Sequence, residues 1–475
     1  MKPYDLIVIG SGPGGQKAAL TAAKAGFRAV LVELGADLGG GCVHSGTLPS
    51  KSFRESVYRW SMSSKGYIGQ ENSDATGVCE LTPSPLDVQP EMERLLERRN
   101  RVVMLEAQVV REQMERNGVE VIGGRGRLLS PKQVEVTTLS GEKRVLEGRR
   151  ILIAVGASPI APEHLRCSDD RVFDSDHLLN MKSVPKRMVV LGGGVIGFEY
   201  ATMFQMAGTE VTLVDRRSDV LSWVDREMVQ QLLDRSTHYG LNLELDTEAE
   251  AVLCEPNQVR VPLKNGKTLV TDVVLIAMGR QGNTSDLGLE NVGLKADSRG
   301  LLSVNASFQT EVPSIYAVGD VVGYPALAAT AFEQGRVAAC HALKLKNRIS
   351  DVHRMSEIFP YGIYTIPEIS MIGETEEQLK ERGADFVVGK ARYREVARGL
   401  ITGDRWGLLK ILVDRKTLKI LGVHIIGDNA ADLIHIGQAV MTLQGDVRYF
   451  VQSVFNYPTL AEAYKLAAFQ AVNQI

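Results

Sequence analysis

No apolar run in this sequence approaches the roughly 18 residues that a membrane-crossing helix needs, so no membrane-spanning role is expected. Neither sign of charge is in excess. Lys and Arg total 54 against 57 Asp and Glu, a formal net charge of -3, which gives no electrostatic ground for a nucleic-acid or membrane-surface partner. The opening residues lack the charged segment, apolar core and small-residue cleavage site of a signal peptide, and YDLIVIG reads at once as a strand. Cysteine is sparse: the 5 residues Cys42, Cys79, Cys167, Cys254 and Cys340 are odd in number and scattered without metal-site spacing. That usage suits a reducing compartment. A cytoplasmic protein with small-molecule partners and no metal is the expectation.

What is present is glycine in two ordered clusters. At 475 residues the chain exceeds one ordinary hydrophobic core, and about two to four domains are expected. Asp5 to Ile9 reads as a buried strand, followed by Gly10-Ser11-Gly12-Pro13-Gly14-Gly15, a helix-period segment stopping at Gly26, and a second strand ending in Glu33. This is a dinucleotide-binding unit: Gly10 permits the tight turn, Gly12 lets backbone amides approach a pyrophosphate, and Gly15 allows close helix–strand packing. The helix N-terminus presents unpaired N–H groups to the anion, and Glu33 accepts ribose hydroxyls.

The unit recurs. MVVL leads into Gly192-Gly193-Gly194-Val195-Ile196-Gly197, a helix through Ala207, and a strand ending at Asp215, which lies as far past Gly192 as Glu33 lies past Gly10. A lone glycine cluster can be a turn without a ligand, but two copies with strand, helix and acid in register predict two dinucleotide sites. Asp215 suits the 2′-hydroxyl of NAD, whereas the following Arg216 and Arg217 can supply guanidinium forks for the 2′-phosphate of NADP. The pattern predicts tolerance of both coenzymes. Which arginine would meet the phosphate is open, and solvated loop charge is the plain alternative.

Three more segments carry chemistry: GGGCVHSGTLPSK from Gly39 to Lys51, Thr310 with Tyr316-Ala317-Val318-Gly319-Asp320, and Phe455-Asn456-Tyr457-Pro458-Thr459-Leu460-Ala461-Glu462. Together with the glycine units they resemble the flavoprotein disulfide reductases of the pyridine nucleotide-disulfide oxidoreductase family, over essentially the whole chain. The resemblance implies FAD in the first site, held by Gly10, Gly12, Gly14, Gly15, Glu33, Gly40, Gly41, Cys42, Lys51, Gly126, Ala154 and Gly156, with Asp320 accepting hydrogen bonds from the ribityl chain. It implies NAD(H) and NADP(H) as substrates at Gly192, Gly194, Val195, Ile196, Gly197, Glu199, Asp215, Arg216, Arg217 and Gly279. It also makes Lys51 and Glu199 the catalytic pair, because the matching lysine of the family lies by flavin N5 and pairs with the matching glutamate. A cation there favours the anionic reduced flavin.

Two departures stand out. The family has two cysteines separated by four residues, and this chain has Cys42 and Thr47, whose hydroxyl cannot close a disulfide. The family's C-terminal histidine is replaced by Tyr457, and a phenol with an ordinary pKa of about 10 is a poor base near neutrality. The redox disulfide is therefore read as lost, with Cys42 a small residue packed against the flavin and a thiolate or sulfenic acid relay as the alternative. The strings GIYTIPEIS, from Gly362, and FNYPT with AEAY, from Phe455, are similar to those of transhydrogenating members of the family, although Ser45 stands where those usually carry an aromatic.

The expected fold class is α/β, with two Rossmann-like dinucleotide-binding domains and a C-terminal α+β dimerisation domain, the last implied by the resemblance. The boundaries are residues 1–150 for the first FAD segment, 151–281 for the NAD(P) domain, 282–348 for the second FAD segment and 349–475 for the interface domain, giving a homodimer or higher homo-oligomer. ILIAVGASP and IAMGRQGNT look like the crossings between domains, and Met92 to Asn117 reads as a long packed helix. The expected activity is FAD-dependent hydride transfer between NADPH and NAD⁺. The alternatives are an NAD(P)H:quinone or oxygen reductase and a non-catalytic flavin- and nucleotide-binding redox sensor.

Overall fold

The strand Leu6–Ile9 reads LIVI and is buried at every position, as a strand covered on both faces of a parallel sheet should be. In the computed structural model, which describes residues 2–64, 90–345 and 355–475, it pairs in parallel with Ala29–Glu33 on one side and Ile151–Ile153 on the other. The 7-stranded sheet runs Ile315–Ala317, Ile151–Ile153, Leu6–Ile9, Ala29–Glu33, Glu120–Ser130, Gln133–Thr138, Lys143–Glu147. Its edge strand Ile315–Ala317 returns from far along the chain. Cys79 and the expected boundary at 348/349 fall outside the described residues.

Helix Pro13–Lys24 opens with proline, whose fixed φ suits a first helical turn. It lies so close to helix Ala328–Ala342 that a Cβ on Gly335 would stand 2.1 Å from the Gly14 carbonyl oxygen. This contact seats the re-entrant segment against the first glycine turn. Helix Thr47–Ser64 packs on helix Met92–Arg116, which buries Met92, Leu95, Ala107, Val110 and Met114 along one side.

A second sheet, 5-stranded and parallel, has the order Asn242–Leu245, Glu210–Asp215, Arg187–Leu191, Val273–Ile276, Val172–Asp174. The ILIAVGASP and IAMGRQGNT segments meet in a ribbon of Ala157–Pro159 with Arg280–Gly282, antiparallel. The C-terminal sheet is antiparallel, in the order Tyr361–Ile363, Ile369–Gly373, Ile420–Ile426, Leu408–Asp414, Phe386–Arg392. It forms a core of its own with helices Ala430–Thr442 and Glu462–Val472, centred on Tyr393, Phe450 and Tyr464. The architecture is two dinucleotide-binding layers followed by an α+β module. Among the described residues no helix is long and apolar enough to cross a membrane.

One expectation is corrected. Cys167 and Cys254 are joined by a disulfide, so the chain does carry a redox-capable cysteine pair. They lie 87 residues apart and meet because both pack on the same apolar cluster under the second sheet. Residue spacing carries no sign of such a meeting. The pair is not at Cys42, which is a free thiol.

Candidate active site

A cleft of about 1850 Å³ is lined by both glycine turns and by residues of the C-terminal sheet. The two turns are built alike. Gly10 and Gly192 have φ of +102° and +114°, a region that favours glycine, and a Cβ on Gly15 or Gly197 would stand 2.0 or 1.9 Å from the Gly10 or Gly192 carbonyl oxygen. Gly15 and Gly197 therefore sit behind the cleft, packing helix on turn, while the other expected site residues line it. The acids repeat the same geometry. Glu33 accepts the Ser11 and Gly35 amides, both at 2.8 Å, and Asp215 accepts the Gly193 and Arg217 amides at 2.6 and 2.8 Å.

Both turns fit a dinucleotide. Neither helix Pro13–Lys24 nor helix Val195–Met206 has a side-chain N-cap, so their first amides are left for an anion. A Cβ on Gly12 or Gly194 would meet nothing within 4 Å, which leaves the approach to each turn open. The cysteine segment closes over the first turn: Gly39 N donates to Ser11 Oγ at 2.9 Å, and a Cβ on Gly40 would stand 2.8 Å from Gly12 Cα.

Lys51 and Glu199, 148 residues apart, meet at 2.8 Å between Nζ and Oε2. The carboxylate is held from the other side as well, since the Tyr364 amide donates to Oε1 at 2.9 Å. The Tyr364 ring also lies under the ammonium, 5.1 Å from its centroid, within cation–π range. Sequence reasoning quoted the GIYTIPEIS string only as a mark of resemblance, and its amide donor is invisible in residue type. Cys42 lies in the short helix Gly40–His44 and Thr47 opens the next helix. Burial pushes the Cys42 thiol up from its ordinary value, and a hydrogen bond with Thr47 opposes this only in part.

Asp320 lines the cleft, its carboxyl raised by burial against the pull of Arg280. Arg280 is itself fixed by Asp176 at 2.7 Å and by the Ala157 carbonyl at 2.5 Å, a pair that sequence reasoning missed. At the far end, Arg217 grips Asp215 with Nε and Nη2 at 2.9 and 3.0 Å. Burial pushes the Asp215 carboxyl up, but the Arg217 and Gly193 hydrogen bonds outweigh it and hold it below the usual range. Arg216 lines the same wall and is exposed.

Residues 4–335 match the pyridine nucleotide-disulphide oxidoreductase family and residues 359–468 its dimerisation domain. The chain belongs to this family. A soluble pyridine nucleotide transhydrogenase of Mycobacterium bovis is 44% identical over 477 residues, covering 100% of this chain and 98% of its own. One from Yersinia pestis is 39% identical over 481 residues, covering 99% and 98%. Among solved structures, the Cu(II) complex of the HOCl-induced flavoprotein disulfide reductase RclA from Escherichia coli aligns at TM-score 0.87 and 26% identity over 99% of both chains. LpdA from Mycobacterium tuberculosis aligns at 0.87 and 26% over 98% of this chain and 99% of its own.

As a pyridine nucleotide-disulphide oxidoreductase, the protein is an NAD(P)-linked flavoprotein enzyme with FAD as cofactor and nicotinamide nucleotides as substrates. It departs from the family's name at one point, since the cysteine segment holds a single thiol facing a hydroxyl.

Proposed function

We propose that the enzyme catalyses NADPH + NAD⁺ ⇌ NADP⁺ + NADH, with one nicotinamide site serving each coenzyme in turn. The observation that carries the reading is Thr47 beside Cys42: without a second thiol there is no dithiol outlet, and reducing equivalents leave by the side on which they entered. The transhydrogenase names of full-length relatives support it. FAD, when bound, supplies the two-electron relay between the two nicotinamides.

In this reading the first glycine turn, with Gly12 and the Gly40–Gly41 amides, holds the FAD pyrophosphate, Glu33 its adenosine ribose and Asp320 its ribityl hydroxyls. Lys51 keeps a positive charge at the reacting end of the flavin, and Glu199, pinned from both sides, fixes where that charge stands. Preorganised charge of this kind lowers a barrier without reorganisation during the reaction. Gly194 and Gly279 flank the coenzyme pyrophosphate, and Asp215, Arg216 and Arg217 read its adenosine ribose. The domain division is taken as 1–150 with 282–348 for FAD, 151–281 for NAD(P) and 349–475 for a homodimer interface, in a cytoplasmic enzyme.

The test is the initial velocity of thio-NAD⁺ reduction by NADPH, varying both, without lipoamide or quinone. One site used twice gives parallel double-reciprocal lines. Negligible exchange despite rapid flavin bleaching by NADPH would sink the reading and favour an acceptor on the Cys42 side.

A further inference from the structure

The Cys167–Cys254 pair lies directly behind one wall of the second nucleotide site. The wall has two strips, one carrying Pro162 and Leu165 and the other Thr247, Glu248 and Ala249. Cys167 follows the first strip by two residues, and Cys254 sits in the strand Leu253–Glu255 just past the second. Leu165 and Ala249 reach inward from the strips to the same buried cluster on which both cysteines pack. The second strip also joins the coenzyme end of the site, because Thr247 N donates to the Asp215 carbonyl at 3.3 Å.

Two further observations mark the wall as a ligand surface with an adjustable tie. Thr247 is 5% exposed, lines the cleft, and its hydroxyl has no hydrogen-bond partner among the described residues. A buried hydroxyl left unpaired is costly unless a ligand pairs it. Both cysteines are only half-buried, so an external thiol can reach them. Apart from the disulfide, the first strip is held by the Ile160 amide on the Gly279 carbonyl at 3.0 Å, by Leu165 in the core, and by Arg171 on the Glu255 carbonyl at 2.8 Å. Cleavage therefore loosens the wall without unfolding it.

We propose that Cys167 and Cys254 form a thiol–disulfide control site that sets the affinity of the enzyme for its nicotinamide coenzymes. The disulfide form holds the two strips in register and binds tightly, and the dithiol form binds weakly. The reductant is a dithiol. One of its thiolates attacks a sulfur of the pair and expels the other as a thiolate, which takes up a proton. Its second thiolate then displaces the remaining sulfur, leaving two cysteine thiols and an oxidised dithiol. The pair gains two electrons and two protons, and an oxidised dithiol reverses the step. Intracellular disulfides, where they occur, are typically transient and redox-sensing. The proposal rests on the second glycine turn being the nicotinamide-coenzyme site, and it does not require transhydrogenation.

The experiment equilibrates the FAD-loaded enzyme in mixtures of reduced and oxidised dithiothreitol. Thiols at 167 and 254 are counted by alkylation and peptide mass spectrometry. In the same samples the Kd of NAD⁺ and of NADP⁺, neither of which reduces the flavin, is read from flavin fluorescence. Kd is expected to rise about tenfold as the thiols appear, the factor for a wall ordered in a tenth of the molecules. Cys254→Ser should show the weak Kd in both buffers, and Cys340→Ser should follow the unaltered enzyme. A pair that stays reduced in oxidised dithiothreitol, or a Kd that does not move as the disulfide opens, overturns the proposal. Failure of coenzyme exchange with a Kd that still tracks the thiols would instead count against the transhydrogenase reading alone.

Discussion

Asp215 and Glu33 occupy equivalent corners of two copies of one motif, and what separates them is Arg217. Each carboxylate ties the turn amide and the amide two residues on, but only Asp215 is also covered by a guanidinium fork. In the proposed reading that cover would let an acidic corner accept a phosphate, with the fork turning from the carboxylate to the 2′-phosphate, whereas for NAD the carboxylate would take the ribose hydroxyls. Arg217→Ala should raise the KM for NADPH roughly ten- to a hundredfold, the value of a lost charge-assisted hydrogen bond, and leave the KM for NADH unchanged or lower. Equal changes for both coenzymes, or the same selectivity from Arg216→Ala, would assign the phosphate elsewhere. Lys51 is a separate matter, since in the proposed reading it would answer to chemistry and not to coenzyme identity. In Lys51→Met, stopped-flow bleaching of the flavin should slow about a hundredfold or more with NADH and NADPH alike, with coenzyme Kd little altered; an unchanged rate would remove the ammonium from the reaction.

At the scale of elements, the helix Arg226–His238 is anchored to the C-terminal sheet by a buried charge cluster. Lys410, in the strand Leu408–Asp414, is 1% exposed and reaches Asp225 at 2.9 Å, Glu376 at 2.6 Å and Glu227 at 3.2 Å. Asp225 is also the N-cap of that helix, accepting the Glu227 amide at 3.1 Å. Removing the one buried cation leaves the fully buried Asp225 without a counter-charge, while Glu376 keeps Lys380 and Glu227 keeps Lys390. Lys410→Met should therefore destabilise the protein by about 3–5 kcal/mol in urea unfolding, and a loss below about 1 kcal/mol would mean that water already reaches the cluster. The pH dependence follows from Glu376. Burial pushes its carboxyl up, but Lys380 and Lys410 more than reverse this and bring it down to about 2. A depressed carboxyl contributes stability that is complete above its unfolded value, about 4.3, and is lost as pH falls towards 2. Glu376→Gln should flatten that acid limb, and a limb of unchanged slope would place the acid sensitivity in other carboxylates.

At the scale of the whole molecule, what was legible in the sequence was what is local. The two glycine turns and their acids could be read because turn, helix start and acid fall within one short βαβ stretch, and each residue type there has a steric or charge reason. The C-terminal β-rich runs could be read from their apolar patterning. The Tyr364 amide on Glu199 could not, since a backbone donor belongs to no residue type, and neither could the meeting of Cys167 with Cys254, which depends on how distant strips pack. Arg217 was visible as a charge but not as a partner of Asp215. The same limit applies to surfaces. Leu443, Val454 and Tyr457 are 82%, 94% and 75% exposed, and all three fall inside the segment that matches the family's dimerisation domain. The match to a dimerisation domain implies an association surface in this module, and exposed apolar side chains there are what such a surface would cover. Sedimentation equilibrium should therefore give twice the 51.9 kDa of one chain. Val454→Asp, which places a charge where an apolar interface would have to desolvate it, should shift the protein towards monomer at micromolar concentration while leaving the far-ultraviolet circular dichroism unchanged. A wild-type monomer would contradict the homodimer, whereas an intact Val454→Asp dimer would move the interface to another face of the same module.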